Sequence, residues 1–262
     1  MGLFSRNFNK PGPGVSKDEP RKTGAARFFE LLFRDFGDLV KLNLLFCICV
    51  APTFIAFIAA ILGYYTIISI VASLLLAFPV GGAMVAYVYY ITKMMRDDPS
   101  YVWFDFKRKF LENFKQAAPV GMLCTAFIYA QVLLWDSLIF REGGGDLIWF
   151  LIAFLSLILF GMMTPYIFMH FAYIDLGTFR IIKNSVLMSF GYLPRSFMAS
   201  IMGSILWILF VLFIPDSILV FPLFLLIGVS LSILMSLSWV WNPFNEFFKV
   251  EETLIEKEKE KE

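Results

Sequence analysis

Apolar residues in this chain come in long unbroken runs rather than in short alternating ones. Six runs stand out, at Leu42–Leu62, Thr66–Ile91, Ala117–Phe140, Leu147–Tyr173, Ser196–Ile214 and Ser217–Val240. Each is near or beyond the ~20 residues that an α-helix needs to cross ~30 Å of hydrocarbon. A helix that is apolar all round must be covered on every side, and lipid does that. Three other segments are amphipathic. Phe28, Leu31, Leu32, Phe36 and Leu39 recur at helical spacing opposite Arg27, Glu30, Arg34, Asp38 and Lys41, which predicts an interface helix over Arg27–Lys41. Tyr101–Gln116 and Thr178–Pro194 have the same character, and each of the three precedes a pair of spans. The pattern predicts an all-α polytopic membrane protein, with six transmembrane helices arranged as three hairpins, each led by a cytoplasmic amphipathic helix. The repetition is one of layout, with little residue identity.

Residues 1–26 carry Pro11, Gly12, Pro13, Gly14 and Pro20 among charges and read as a disordered tail. Residues 27–245 form the membrane domain. Residues 246–262 read as a charged, solvated tail whose alternating Glu and Lys permit i,i+4 pairs.

Composition strengthens the membrane assignment. Hydrophobic residues make up 59% of the chain and charged residues 16%, against about 45–50% and about 25% in soluble domains. The mean hydropathy is +0.75. Charge placement adds an orientation. Connectors after the first, third and fifth spans are brief, whereas Thr92–Gln116 and Ile174–Arg195 are long and polar. Of the 22 lysines and arginines, only Arg141 falls on the side of the brief connectors. The positive-inside rule therefore places both termini and the two long connectors in the cytoplasm of a multi-pass cell-membrane protein. No cleavable signal sequence is expected, because the first apolar run lies behind a long basic segment.

Candidate chemistry is sparse. Cys47 and Cys49 stand about 200° apart on a helix and face different ways, so packing explains them and Cys124 better than metal does. The chain has no Gly-rich phosphate loop, His-Glu-x-x-His pair or nucleophile elbow, so no catalytic residue, cofactor or metal site is expected. His170, the one histidine, lies within a turn of the expected interface, in reach of water or headgroups, and is read as structural. Asp136 near Arg141 and Glu142 makes a candidate outer polar cluster, with a plain surface loop on Gly143-Gly144-Gly145 as the simpler reading. Pro79 followed by Gly81 and Gly82 points to a kink and a close approach of a neighbouring helix, with a hinge as the weaker alternative. Ala56, Ala59, Ala60, Gly63, Ala199 and Gly203 read as helix contacts in the same way. The second connector interleaves Trp103, Phe104, Phe106 and Phe110 with basic residues and continues into Asn113, Phe114, Lys115 and Gln116. That composition suits a partner groove or an anionic headgroup layer equally. Nothing resembles a stacking platform, so nucleic acid is not an expected partner.

Phe78-Pro-Val-Gly-Gly82, Ala86-Tyr-Val-Tyr-Tyr90, the basic Lys93–Arg96, and Lys109 through Asn113-Phe-Lys-Gln-Ala117 resemble the YesL family of small bacterial membrane proteins. The resemblance covers roughly Phe33 to Val240. It departs at Pro79-Val-Gly-Gly-Ala83, where family members carry a second proline. Family genes lie beside those for carbohydrate importers, so the resemblance implies a non-catalytic accessory subunit of a carbohydrate ABC importer, contacting lipid and the permease subunits. One alternative is a permease-like subunit that itself lines a sugar path. Gly191-Tyr-Leu-Pro194 resembles the end of a permease coupling helix, but Lys183-Asn184-Ser185 stands where that motif begins with an acidic residue and two alanines. A membrane-embedded enzyme is the weaker alternative, since the residues for it are missing.

Overall fold

In hydrocarbon every backbone polar group must be bonded internally. The computed structural model describes residues 21–62, 67–140, 147–213 and 220–260, and among these it contains helices and no strand. In chain order they are α1 (Gly24–Arg34), α2 (Phe36–Leu62), α3 (Ile67–Leu76), α4 (Phe78–Met95), α5 (Val102–Phe140) and α6 (Leu147–Tyr173). There follow α7 (Thr178–Gly191), α8 (Leu193–Phe213), α9 (Val220–Leu223), a π turn (Phe224–Gly228), α10 (Val229–Phe248) and α11 (Val250–Lys259). Six spans are long and apolar enough to cross a membrane: Phe36–Ala60, Ile67–Met95, Val102–Leu138, Leu147–Tyr173, Leu193–Phe213 and Phe221–Phe248. The protein is an all-α polytopic membrane protein.

The three amphipathic segments join their spans differently. At Asp35 the backbone leaves helical geometry, so the expected Arg27–Lys41 helix divides, and its second half becomes the first turns of α2. Tyr101–Gln116 contains no glycine or proline, and α5 runs through it into the third span as one helix. Pro194 has no N–H to continue the ladder to the Phe190 carbonyl; α7 stops at Gly191, the backbone leaves helical geometry at Tyr192, and α8 begins at Leu193. Both expected tail boundaries also move. Helix α1 begins at Gly24, and Arg21 is already ion-paired, so the disordered tail does not extend to residue 26. Residues 1–20 lie outside the described residues. At the other end α11 packs Val250 and Leu254 against the core, where a solvated tail was expected.

The most extensive helix contact is between α4 and α5, across a hairpin boundary rather than within a hairpin. Two glycines permit it. A Cβ on Gly81 would lie 1.9 Å from the Ala117 carbonyl oxygen, and one on Gly121 would lie 2.2 Å from the Gly81 nitrogen. The close approach expected at Pro79-Val-Gly81-Gly82 is therefore backbone against backbone. Pro79 ends α3 and opens α4. The Val80 N–H turns to the Ala77 carbonyl at 3.0 Å, and the Thr53 hydroxyl donates to the Leu76 carbonyl at 2.7 Å. Helices α6 and α8 meet similarly, with the Gly161 Cβ position 2.3 Å from the Ser200 Oγ.

In the sixth span the hydrogen-bond ladder shifts register at the π turn. Asn43 of α2, fully buried, inserts its amide there. Its Nδ2 donates to the Leu225 carbonyl, and its Oδ1 accepts from the Ser230 N–H at 2.9 Å and from the Tyr87 hydroxyl at 3.1 Å. The Ser230 hydroxyl donates to the Leu39 carbonyl at 2.7 Å. One polar side chain thus ties three spans where a π turn re-registers the ladder.

Candidate functional site at the basic end of the bundle

The C-terminus of α4 organises this end. Asp98 N–H donates to the Lys93 carbonyl at 3.2 Å, and Asp97 N–H to Met94 at 3.1 Å. This is the Schellman arrangement, which puts the residue after the cap in the left-handed region. Asp97 sits there at φ 63°, where glycine is usual. Its carboxylate explains the choice. Arg27 Nη2 donates to Asp97 Oδ2 at 2.6 Å and to the Met95 carbonyl at 3.0 Å. Arg34 bonds Asp97 Oδ1 and the Met94 carbonyl, and Arg21 donates to the Arg96 carbonyl at 2.6 Å. Three guanidinium groups from the N-terminal arm so occupy the carbonyl-rich end of α4, where cations are favoured. Arg21 also pairs with Glu251 of α11 at 3.1 Å, which joins the two ends of the described chain.

Burial pushes the Asp97 carboxyl up, but hydrogen bonds from Arg27 and Arg34 outweigh it and hold the group below its ordinary 3.8. A depressed carboxyl contributes stability above its unfolded value and loses it as pH falls through the folded one. The clasp is therefore intact at neutral pH, begins to weaken below the ordinary carboxyl value, and is lost only as pH falls through the lower folded one. Spin labels at Ala25 and Ser100 should report one short distance at pH 6 and a distribution that broadens as the pH is lowered through the acid range. Asp97→Asn should broaden it already at pH 6.

Behind the clasp, Arg96 is buried. It pairs with Asp98 at 2.8 Å, donates to the Tyr173 hydroxyl at 2.6 Å, and lies 5.3 Å and 5.5 Å from the Tyr173 and Trp241 ring centres. The Thr92 hydroxyl meets the same Tyr173 oxygen at 2.6 Å. Asp105, also buried, accepts from Lys93 at 2.9 Å and from the Tyr101 N–H at 3.0 Å. These bonds anchor the start of α5 to the end of α4. Arg96 and Asp105 read in the sequence only as members of charged runs; their burial follows from long-range packing.

The aromatic connector residues separate by helix face. Trp103 and Phe104 are 64% and 61% exposed, and Lys115 is exposed beyond them. Phe106 is 4% exposed and belongs to the core, which removes it from the expected docking surface. Phe110 and Phe114 follow it at i+4 and i+8, stacking inward on one another and on Phe78 of α4. Asn113 is buried, with its amide on the Lys109 carbonyl at 3.1 Å. Gln116 donates to the Leu176 carbonyl, and its own carbonyl accepts from Thr178 at 3.4 Å, so it holds the α6–α7 connector against α5. The expected surface thus shrinks to its outer members.

His170 departs from expectation. It is fully buried, away from water and headgroups, because α10 runs two turns past the expected end at Val240. Phe244 and Phe248 from those turns stand edge-to-face on the imidazole, each 5.1 Å away. Nδ1 donates to the Tyr166 carbonyl at 2.7 Å, and Nε2 has no partner among the described residues. Asp136, near the other end of α5, is exposed and pairs with no described residue; Arg141 and Glu142 lie outside the described residues. In its neighbourhood Gln131 instead bonds Ser156 of α6 at 2.7 Å. Among the described residues no group of three or more His, Cys, Asp or Glu could hold a metal ion. No protein-family model, curated protein or solved structure matches this chain.

Proposed function

We propose that this protein is a non-catalytic subunit of the cell membrane that attaches to the permease of a carbohydrate ABC importer, with its basic end and both termini in the cytoplasm. The observation that carries the reading is the pair Trp103 and Phe104. Both project from the outer face of α5 although the same helix buries Val102, Asp105 and Phe106. Arg108 lies 5.5 Å over the Phe104 ring and is itself held by Asp105 at 3.2 Å, so the aromatic surface is pre-ordered. Exposed aromatics on a rigid support are the usual anchors of protein interfaces. Likeness to the YesL family supplies the class of partner.

Trp103→Ala with Phe104→Ala is expected to weaken the contact by ~2 kcal/mol or more, roughly thirtyfold. Co-purification from native membrane in mild detergent tests it. Importer subunits should accompany the wild-type chain and be lost with the double variant. Recovery of no importer subunit by the wild type would dismiss the proposal. Phe106→Ala should lower stability instead, since that ring is in the core.

A further inference from the structure

Basic residues of the two long connectors fall into two sets. Lys93, Arg96, Arg108 and Lys109 are each neutralised by an acidic residue of the protein, through Asp105, Asp98, Asp105 and Glu112. Lys107, Lys115, Arg180, Lys183 and Arg195 are exposed and make no ion pair with a described residue. Apart from Arg195, in the first turn of α8, this second set is not scattered. On α5, Trp103, Lys107, Leu111 and Lys115 recur every four residues and are all exposed. On α7, Phe179, Lys183 and Leu187 repeat the same alternation, with Arg180 beside them, while Ile181, Ser185 and Met188 face the bundle. The Gln116–Leu176 and Thr178–Gln116 bonds bring the end of the first stripe to the start of the second.

A stripe that alternates large apolar groups with uncompensated cations fits one kind of surface. Apolar side chains enter the acyl boundary of a bilayer while the long basic stems reach the phosphates. Cations meant for structure would have acids opposite them, as the first set does. We infer that the junction of α5 and α7, built from Leu111, Lys115, Phe179, Arg180, Lys183 and Leu187, is a binding surface for anionic phospholipid headgroups. The acidic residues of α5 nearest this stripe do not compete for it, because Asp105 and Glu112 are engaged by Lys93, Arg108 and Lys109. The surface begins two turns beyond Trp103 on the same stripe and does not depend on an importer contact.

The full-length chain in detergent, titrated with dioleoyl phosphatidylglycerol or dioleoyl phosphatidylcholine and followed by native mass spectrometry, tests the assignment. The anionic lipid should bind more tightly than the zwitterionic one. Lys115→Gln with Arg180→Gln and Lys183→Gln should weaken phosphatidylglycerol on the order of a hundredfold, about fivefold per cation, and leave phosphatidylcholine unchanged. All three side chains are exposed, so the helical circular dichroism should not change. Arg180→Lys with Lys183→Arg should retain the preference, as should Trp103→Ala with Phe104→Ala. Equal binding of both lipids by the wild type would overturn the inference. So would undiminished phosphatidylglycerol binding by the triple glutamine variant, or equal loss in the charge-conserving one.

Discussion

Gly81→Ala is expected to destabilise the protein by about 3 kcal/mol, at the upper end of the range for overpacked sites. The added methyl would stand 1.9 Å from the Ala117 carbonyl oxygen and 2.5 Å from its carbonyl carbon. Those are backbone atoms of a facing helix, so no rotamer change relieves the clash. Helices α4 and α5 must separate, and their contact is the most extensive in the bundle. Without a hydrophobic force between helices in lipid, close packing of small residues is a main source of association. Gly37 is the control. A Cβ there meets nothing within 4 Å, and Gly37→Ala should be neutral or stabilise by up to about 1 kcal/mol through lower backbone entropy. Thermal unfolding in one detergent, with both variants beside wild type, reads the difference.

The second large effect concerns Asn43. Asn43→Ala removes at once the partner of the Leu225 carbonyl, the Ser230 N–H and the Tyr87 hydroxyl. In a bilayer no water replaces it. Unpaired buried groups cost about 1–3 kcal/mol each, although single interhelical bonds in membrane proteins average nearer 0.6. A total loss of about 3 kcal/mol is expected. The effect should be strongly non-additive with Tyr87→Phe, because both members belong to one network. A double-mutant cycle that added within 0.5 kcal/mol would show that Asn43 does not serve the network.

These two sites show what a sequence displays of such a fold. Spans are legible because a run of some twenty apolar residues depends on nothing outside itself. The glycine pair at Gly81 and Gly82 is legible as a close approach, since small residues in membrane helices serve packing more often than hinging. Which helix approached was not, because Ala117 and Gly121 follow an interface segment 35 residues further on, with no local sign of contact. Asn43 stood as a lone polar residue at the start of an apolar run; its meaning depends on a π turn near residue 225. The candidate surface was half legible for the same reason. Alternation of aromatic and basic residues in Tyr101–Gln116 marked a two-faced helix, but assigning faces needed the position of α4. Phe106, Phe110 and Phe114 turned inward, and Trp103, Phe104 and Lys115 outward. The burial of His170 is not legible because hydropathy falls at Val240, whereas α10 continues to Phe248 and brings Phe244 and Phe248 over the imidazole.

The proposed docking and lipid surfaces require the basic ends of the three hairpins to face one compartment and the brief connectors the other. Single cysteines at Ser100, Lys183 and Gly144, in a background where Cys47, Cys49 and Cys124 are replaced by alanine, test this directly with an impermeant thiol reagent. In intact cells the position-144 variant should label, and the position-100 and position-183 variants should label only after the cells are opened. Labelling of positions 100 and 144 from the same side would contradict the six-span account, and with it the cytoplasmic docking surface.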